Sequence, residues 1–222
     1  MLTTDAFAAA ILDHHLRGGA SLQEDAYHLA LTTDIPARDG TFTEIDDEVW
    51  TNYGRAEVDA SAAASIFGAA SSGGGGQQSA NTEAVSFGTA EVTGGEPEAR
   101  GFILMTAGSG GTGLWRGPLA RDLTHFVGLA TDNTIYAPGH GRANGHKVVF
   151  VGPDLPTGLT EGTPYWVIEA TTDSFQVSDE PGGSAEAITA DGKGLVGLAR
   201  FAVVQDGNPV EIPTGDLAFI VR

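Results

Sequence analysis

The chain has 222 residues, of which 41% are hydrophobic and 32 are glycine, so it is long enough to bury a core and rich in turns. Its 29 acidic and 11 basic residues give a formal charge of −18, which argues against nucleic acid or an anionic membrane as a direct ligand. The absence of cysteine excludes disulfides, thiolate catalysis and cysteine-ligated zinc. The sequence contains neither an apolar run of membrane-spanning length nor a leader of signal-peptide type, so we expect no membrane association.

The N-terminal segment predicts a short helix. Thr3 or Thr4 can cap its start, and Gly18 with Gly19 supplies the stop. Four apolar residues recur at helical spacing and form one stripe: Phe7, Ile11, Leu12 and Leu16. Because a helix of this length is marginal in water unless another surface covers such a stripe, we expect these residues to lie in an assembly interface.

Beyond the helix the pattern predicts β-strands. The stretch "AYHLALTT" alternates in the manner of a half-buried strand. Further strands are expected over 53–67, 81–90, 101–105 and 124–130. The polar run "SSGGGGQQS" (71–79) predicts a flexible loop.

Near the C-terminus, Asp206 and Gly207 lie between two apolar stretches and predict a β-hairpin. Pro209 and Pro213 would make its second arm an edge strand or a bent strand.

Residues 135–199 differ in texture, because short apolar runs such as "KVVFV" and "SFQVSD" follow one another quickly between glycine-rich turns. We therefore predict a mainly β protein with two units. The first is a β-sandwich or jelly-roll-like domain with a short N-terminal helix, formed by 1–134 plus 200–222. The second is a small β-barrel or meander of four or five strands, formed by 135–199 and inserted in the first. The flanking strands 124–130 and 200–205 are expected to share the sheet of the first unit.

The stretch "PGHGRANGHKVV" (138–149) is the most unusual in the chain. His140 and His146 could share a metal, but their spacing matches no helical ligand pair and the loop offers no carboxylate as a third ligand. Histidines that satisfy backbone groups in turns are commoner, so a structural turn is the favoured interpretation. His14 and His15 are adjacent on the predicted helix and point about 100° apart, which prevents joint chelation.

Other patterns that suggest chemistry have simpler explanations. "GSGGTG" (108–113) fits a dinucleotide-binding fingerprint, but the sequence after it breaks any helix early and the chain has no βαβ rhythm. The run "SSGGGG" lacks the lysine of a phosphate-binding loop, and no nucleophile elbow is present. Trp50 and Tyr53 could form an aromatic sugar platform, although a core or interface role is favoured. We therefore predict no catalytic, metal or cofactor residues, and no enzyme.

The unusual loop belongs to a longer pattern of turn glycines, apolar strand residues and a turn-capping aspartate. It resembles a small β module that recurs in bacteriophage structural proteins. The resemblance implies that the following residues form the turns and core of the module: His140, Gly145, Phe150, Tyr165, Asp173 and Phe175.

Motifs outside the module resemble a family of phage virion proteins of the tail-fibre or head-fibre type. They are the dipeptide Glu44-Ile45, the step Tyr53-Gly54-Arg55, the stretch 81–90, "THFVGL" (124–129) and "GDLAF" (215–219). The acidic, glycine-rich segment 91–114 and the module at 135–199 depart from that pattern.

The resemblance implies a structural component of a tailed-phage virion, synthesised in the host cytoplasm. Its implied partners are capsid, neck or tail proteins and further copies of itself, with a trimer as the first expectation. The alternative is a carbohydrate-binding module that recognises host surface glycans. A glycan-cleaving enzyme ranks third.

Overall fold

The computed structural model describes residues 2–17, 26–59, 67–69, 71–73, 76–216 and 218–221. These residues form a mainly β protein with one short helix, α1 (Asp5–Arg17), which confirms the predicted fold class. The strands are β1 (Leu2–Thr3), β2 (Ala26–Thr32), β3 (Ala56–Asp59), β4 (Ser71–Gly73), β5 (Gly76–Ala80), β6 (Val85–Thr89), β7 (Glu98–Ala99), β8 (Gly101–Met105), β9 (Gly113–Pro118), β10 (Ala120–Leu129), β11 (Thr134–Tyr136), β12 (Lys147–Val151), β13 (Pro164–Ile168), β14 (Ser174–Ser178), β15 (Gly192–Ala199), β16 (Ala202–Val203), β17 (Pro209–Ile212) and β18 (Ala218–Val221). Within these described ranges no helix is long and apolar enough to cross a membrane.

The chain divides into two compact units. One comprises 1–117 and 201–222, and the other comprises 118–200. The second unit therefore begins earlier than the 135 expected from sequence texture.

The first unit is built on a five-stranded sheet in the order β1-β9-β8-β2-β3. Three smaller sheets accompany it, in the orders β16-β7, β17-β6 and β18-β5-β4. In β2, the consecutive residues Leu29, Ala30, Leu31 and Thr32 are all buried, so this strand is covered on both faces. The predicted half-buried alternation is thus wrong for β2, because successive residues on opposite faces of the strand are both covered in its second half.

Helix α1 begins where the sequence predicts. The Phe7 N–H donates to Thr4 Oγ1 at 3.2 Å, so Thr4 is the N-cap. Thr4 also donates to the Gly113 carbonyl from its hydroxyl, which ties the cap to β9. The Phe7 ring packs on Trp115 with a centroid distance of 5.3 Å. The start of the helix is therefore fixed on the five-stranded sheet.

Two local predictions in this unit are wrong. The segment 71–79 contains β4 and most of β5, which pair with each other, and β5 also pairs with β18 from the C-terminus. Asp206 and Gly207 do form a turn, but the strands beside it pair elsewhere: β16 with β7 and β17 with β6.

In the segment 53–67, a strand is found at Ala56–Asp59, and residues 60–66 lie outside the described ranges.

The second unit is a closed barrel in the order β10-β11-β14-β13-β12-β15. Strand β10 pairs with β15 from Ala120 opposite Ala199 to Gly128 opposite Gly192. The prediction that 124–130 belongs to the sheet of the first unit is therefore wrong. This stretch belongs to the barrel instead, and its residue Phe126 lies in the barrel core.

The barrel core is formed by inward-facing residues from all six strands and their connections: Phe126, Ile135, Ala137, Val148, Phe150, Leu159, Tyr165, Val167, Phe175, Val177, Ile188 and Val196. The Arg200 N–H donates to the Leu119 carbonyl at 2.7 Å, so the two chain ends of the barrel lie side by side. Glycines admit close crossings. A Cβ at Gly192 would collide with Pro156, and a Cβ at Gly158 would collide with the Ala187 carbonyl.

Candidate functional site

The turn 137–146 holds His140 in the interior of the barrel unit. Its Nδ1 accepts the Arg142 N–H at 2.9 Å, and its Nε2 lies 3.3 Å from the Ser174 carbonyl, to which it donates. The ring packs edge-on against Phe175 at a centroid distance of 4.9 Å. Both ring nitrogens are thus occupied by backbone groups. Burial lowers the pKa of His140, which keeps the imidazole neutral.

The other residues assigned to the module lie around this turn. Asp173 accepts the Gly139 N–H at 2.9 Å on its carboxylate, and the Gly145 N–H donates to the Val167 carbonyl at 2.8 Å. Gly145 adopts a φ of 85°, which favours glycine. The rings of Phe150, Tyr165 and Phe175 lie in the barrel core. His146 is exposed, and its Nδ1 accepts the Ala143 N–H at 3.2 Å.

Sequence reasoning missed Arg142, which is only 5% exposed. Its guanidinium donates to the carbonyls of His140 at 2.8 Å, Asp122 at 2.7 Å and Val196 at 2.7 Å. Asp122 lies where the pairing of β10 with β15 shifts register, so Arg142 supplies the donors that the strands lack there. Burial lowers the pKa of Arg142. The sequence did contain one sign of this role, because Arg142 is an isolated basic residue among turn glycines in an acidic chain.

In the first unit, the motif residues Glu44, Tyr53 and Arg55 form one cluster. The Arg55 guanidinium donates to both carboxylate oxygens of Glu44, from Nε at 3.0 Å to Oε1 and from Nη2 at 2.8 Å to Oε2. The Tyr53 hydroxyl donates to Glu44 Oε1 at 3.0 Å and accepts the Leu31 N–H at 3.0 Å. The hydrogen bonds that Arg55 donates to Glu44 raise the pKa of Arg55. Burial, with the nearby charge of Glu44, raises the pKa of Tyr53 far above its ordinary value.

The same arginine holds the glycine-rich loop. Arg55 Nη1 donates to the carbonyls of Ala107 at 2.8 Å and Gly110 at 2.7 Å. After this loop the chain enters strand β9 and not a helix, so the segment 108–113 lacks the helix N-terminus that a dinucleotide phosphate requires. Arg55 therefore connects the cluster to the loop, and both have a structural role.

An open pocket of about 340 Å³ lies beside this cluster, with Glu44, Asp46 and Asp47 among its lining residues. Arg55 already neutralises Glu44, and Asp46 accepts the Glu48 N–H at 2.7 Å in a local turn. Over the described ranges, no group of three histidine, aspartate or glutamate side chains is placed to hold a metal ion. Trp50 is fully buried and packs against Tyr53 at 5.1 Å, so its ring is unavailable as a sugar platform.

The structure places Phe7 and Ile11 of the predicted assembly stripe as half-buried residues. Leu12 and Leu16 lie in α1, and so do His14 and His15, but the side chains of these four residues fall outside the described part of the structure.

A family model described as "Podophage GP4 fiber I protein gp80" matches residues 3–133, which is more than half of the chain. The matched range includes α1, the Glu44–Tyr53–Arg55 cluster and strand β10, and it ends before β11 begins. No curated protein matches the chain.

Proposed function

The chain belongs to the podophage GP4 fiber I protein gp80 family, a family of phage fibre proteins, and from this premise we propose that it is a non-enzymatic assembly subunit of a podophage virion. The match over residues 3–133 is the observation on which this proposal depends. The chain would act in the virion through contacts with capsid, neck or tail proteins.

The chemistry of the conspicuous polar residues supports a structural role. Glu44 and Arg55 satisfy each other, and the remaining donors of Arg55 bind loop carbonyls. His140 and Arg142 are occupied in the same way by backbone groups. A catalytic acid, base or nucleophile needs access to a substrate, whereas these groups are engaged in holding turns and strands together.

We further propose a division of labour between the two units. The matched range contains most of the first unit, so we assign attachment to the particle to that unit. Five of the six barrel strands, β11 to β15, lie beyond residue 133, outside the match. We therefore propose that the barrel is the part of the subunit that faces its surroundings.

The subunit is proposed to form a closed homo-oligomer, with a trimer as the first expectation. The apolar stripe of α1 supports this assignment, because Ile11 remains half-buried within one chain and further copies can cover it.

A reconstruction of purified particles at residue-level resolution, combined with light scattering of the isolated chain, tests the proposal. We expect symmetric copies of the chain at a fibre or decoration position and an oligomer in solution. Particles that lack the chain, together with a strictly monomeric protein, would remove the structural role.

A further inference from the structure

The outer surface of the barrel presents an apolar pair. Among the described residues, only three large hydrophobic side chains are exposed. Two of them are cross-strand partners: Val127, with 48% of its surface exposed, and Tyr136, with 40%. Their neighbours Phe126 and Ile135 lie in the core, so strand alternation places Val127 and Tyr136 on the outside.

The Tyr136 ring is held in a fixed position. Its hydroxyl donates to Asp132 Oδ2 at 3.2 Å, and Asp132 precedes it by four residues on the same hairpin. This bond lays the ring along β11 toward the turn. The Asp132 carboxylate is itself fixed, since its Oδ1 accepts the Thr134 N–H at 3.2 Å. A broad aromatic face is therefore displayed without a large ordering cost.

Polar acceptors border this ring. On β14, Ser174 is the register partner of Tyr136, and Gln176 lies two residues further along. Gln176 donates from Nε2 to the Asp132 carbonyl at 2.7 Å, which leaves its Oε1 as an acceptor at the edge of the surface. Asp132 adds carboxylate lone pairs to the same edge.

We propose that this Tyr136 surface, formed by Val127, Asp132, Tyr136 and Gln176, binds a neutral saccharide. The exposed ring offers an apolar plane to the C–H face of a sugar, and the adjacent amide and carboxylate oxygens accept its hydroxyl protons. An acidic saccharide is disfavoured, because Asp132 lies at the surface and the chain has a charge of −18.

The size of the surface favours a sugar over a protein partner. A stable protein interface buries about 800 Å² on each side and has an apolar centre. Here the exposed apolar groups are one tyrosine and one valine among polar neighbours, which suits one or two sugar rings. This inference goes beyond the assembly role and does not depend on it.

Binding of the purified full-length chain to an array of immobilised neutral and acidic oligosaccharides tests the proposal. We expect signals on neutral glycans that fall about tenfold or more in Tyr136→Ala. A smaller loss is expected in Tyr136→Phe, which keeps the ring but frees it from Asp132. Val203→Ala removes an equally exposed apolar side chain from the other unit and serves as the matched control, with no expected change. Melting curves and light scattering on all variants establish that fold and oligomeric state are unchanged.

Three results would overturn the saccharide site: no neutral glycan bound by the wild type, binding to acidic glycans alone, or full binding by Tyr136→Ala. If Tyr136→Ala instead loses oligomerisation or incorporation into particles, the surface is a protein interface and the saccharide proposal is wrong. In each case the virion role is judged separately, because its test is the presence of the chain in particles.

Discussion

Arg55 and Glu44, eleven residues apart in sequence, form a two-pronged ion pair at 2.8 and 3.0 Å. The Arg55 side chain is only 8% exposed, and its remaining donors bind the loop at Ala107 and Gly110. This pair therefore connects the chain before β3 to the loop between β8 and β9.

Replacing Arg55 by methionine should destabilise the first unit by about 2 kcal/mol, because Glu44 and the Ala107 carbonyl would lose donors at a partly buried site. The free energy of unfolding from chemical denaturation checks this value. Arg38→Met is the matched control, since the Arg38–Asp5 pair has side chains 65% and 56% exposed. Its effect should stay within about 0.5 kcal/mol. Equal effects of the two substitutions would show that the cluster has no special structural weight.

The barrel should lose stability as the pH falls from 7 to about 5.5. Burial lowers the pKa of His140 in the folded state below its unfolded value, so the unfolded chain binds the proton more tightly in this window. The contribution of His140 is therefore present above the unfolded pKa and is lost as the pH falls through the folded one.

Melting temperatures across this window check the prediction. The His140→Gln variant should show a flatter pH dependence than the wild type, together with a lower stability at pH 7. The exposed His146 provides the control, and His146→Gln should keep the wild-type slope. A slope that survives in His140→Gln would assign the pH dependence to other groups.

Deleting 119–200 and joining Pro118 to Phe201 through a short flexible linker should leave a soluble, cooperatively unfolding first unit. The hydrogen bond between Arg200 and Leu119 shows that a short linker spans the gap. The comparison is deletion of 135–199, which removes β12 to β15 and most of β11 and leaves β10 without its ladder to β15. We expect that product to aggregate. The reverse order of solubility would show that β10 belongs to the first unit.

Replacing Ile11 and Leu12 together by aspartate should abolish oligomer formation and incorporation into particles while the barrel remains folded. Phe7 is left unchanged, because its contact with Trp115 fixes the helix on its own sheet. Ala6 and Ala9 are exposed on the same helix, so Ala6→Asp with Ala9→Asp introduces the same charge at sites where it should be tolerated. Light scattering and particle composition report the result. Normal assembly of the Ile11/Leu12 variant would remove α1 from the interface.

Local signals in the sequence were sufficient where a structure depends on nearby residues. Thr4 caps α1, and the apolar runs at 101–105 and 147–151 form strands β8 and β12. The failures concern pairing over long distances. The glycine-rich segment 71–79 resembles a loop by composition, but pairing with β18, more than a hundred residues away, organises β5.

The same reason explains the boundary of the barrel and the missed arginine. An apolar run at 124–130 predicts a strand equally well in either unit, and only its register with β15 decides which. Arg142 was missed because its acceptors, Asp122 and Val196, become neighbours only when the barrel closes. The turn around His140 was predictable in type, since glycines and a capping aspartate give it a local signature.

The adjacent ends of the barrel have a mechanical consequence. Because Ala120 lies opposite Ala199 at the start of the β10–β15 ladder, tension applied to the two ends would open that ladder one hydrogen bond at a time, like a zipper. Such a geometry resists pulling far less than strands that must slide past one another. The hydrogen bond between Arg200 and Leu119 is the first that this load would reach. The barrel is therefore expected to open at a low force when the force enters through one of these ends and leaves through the other.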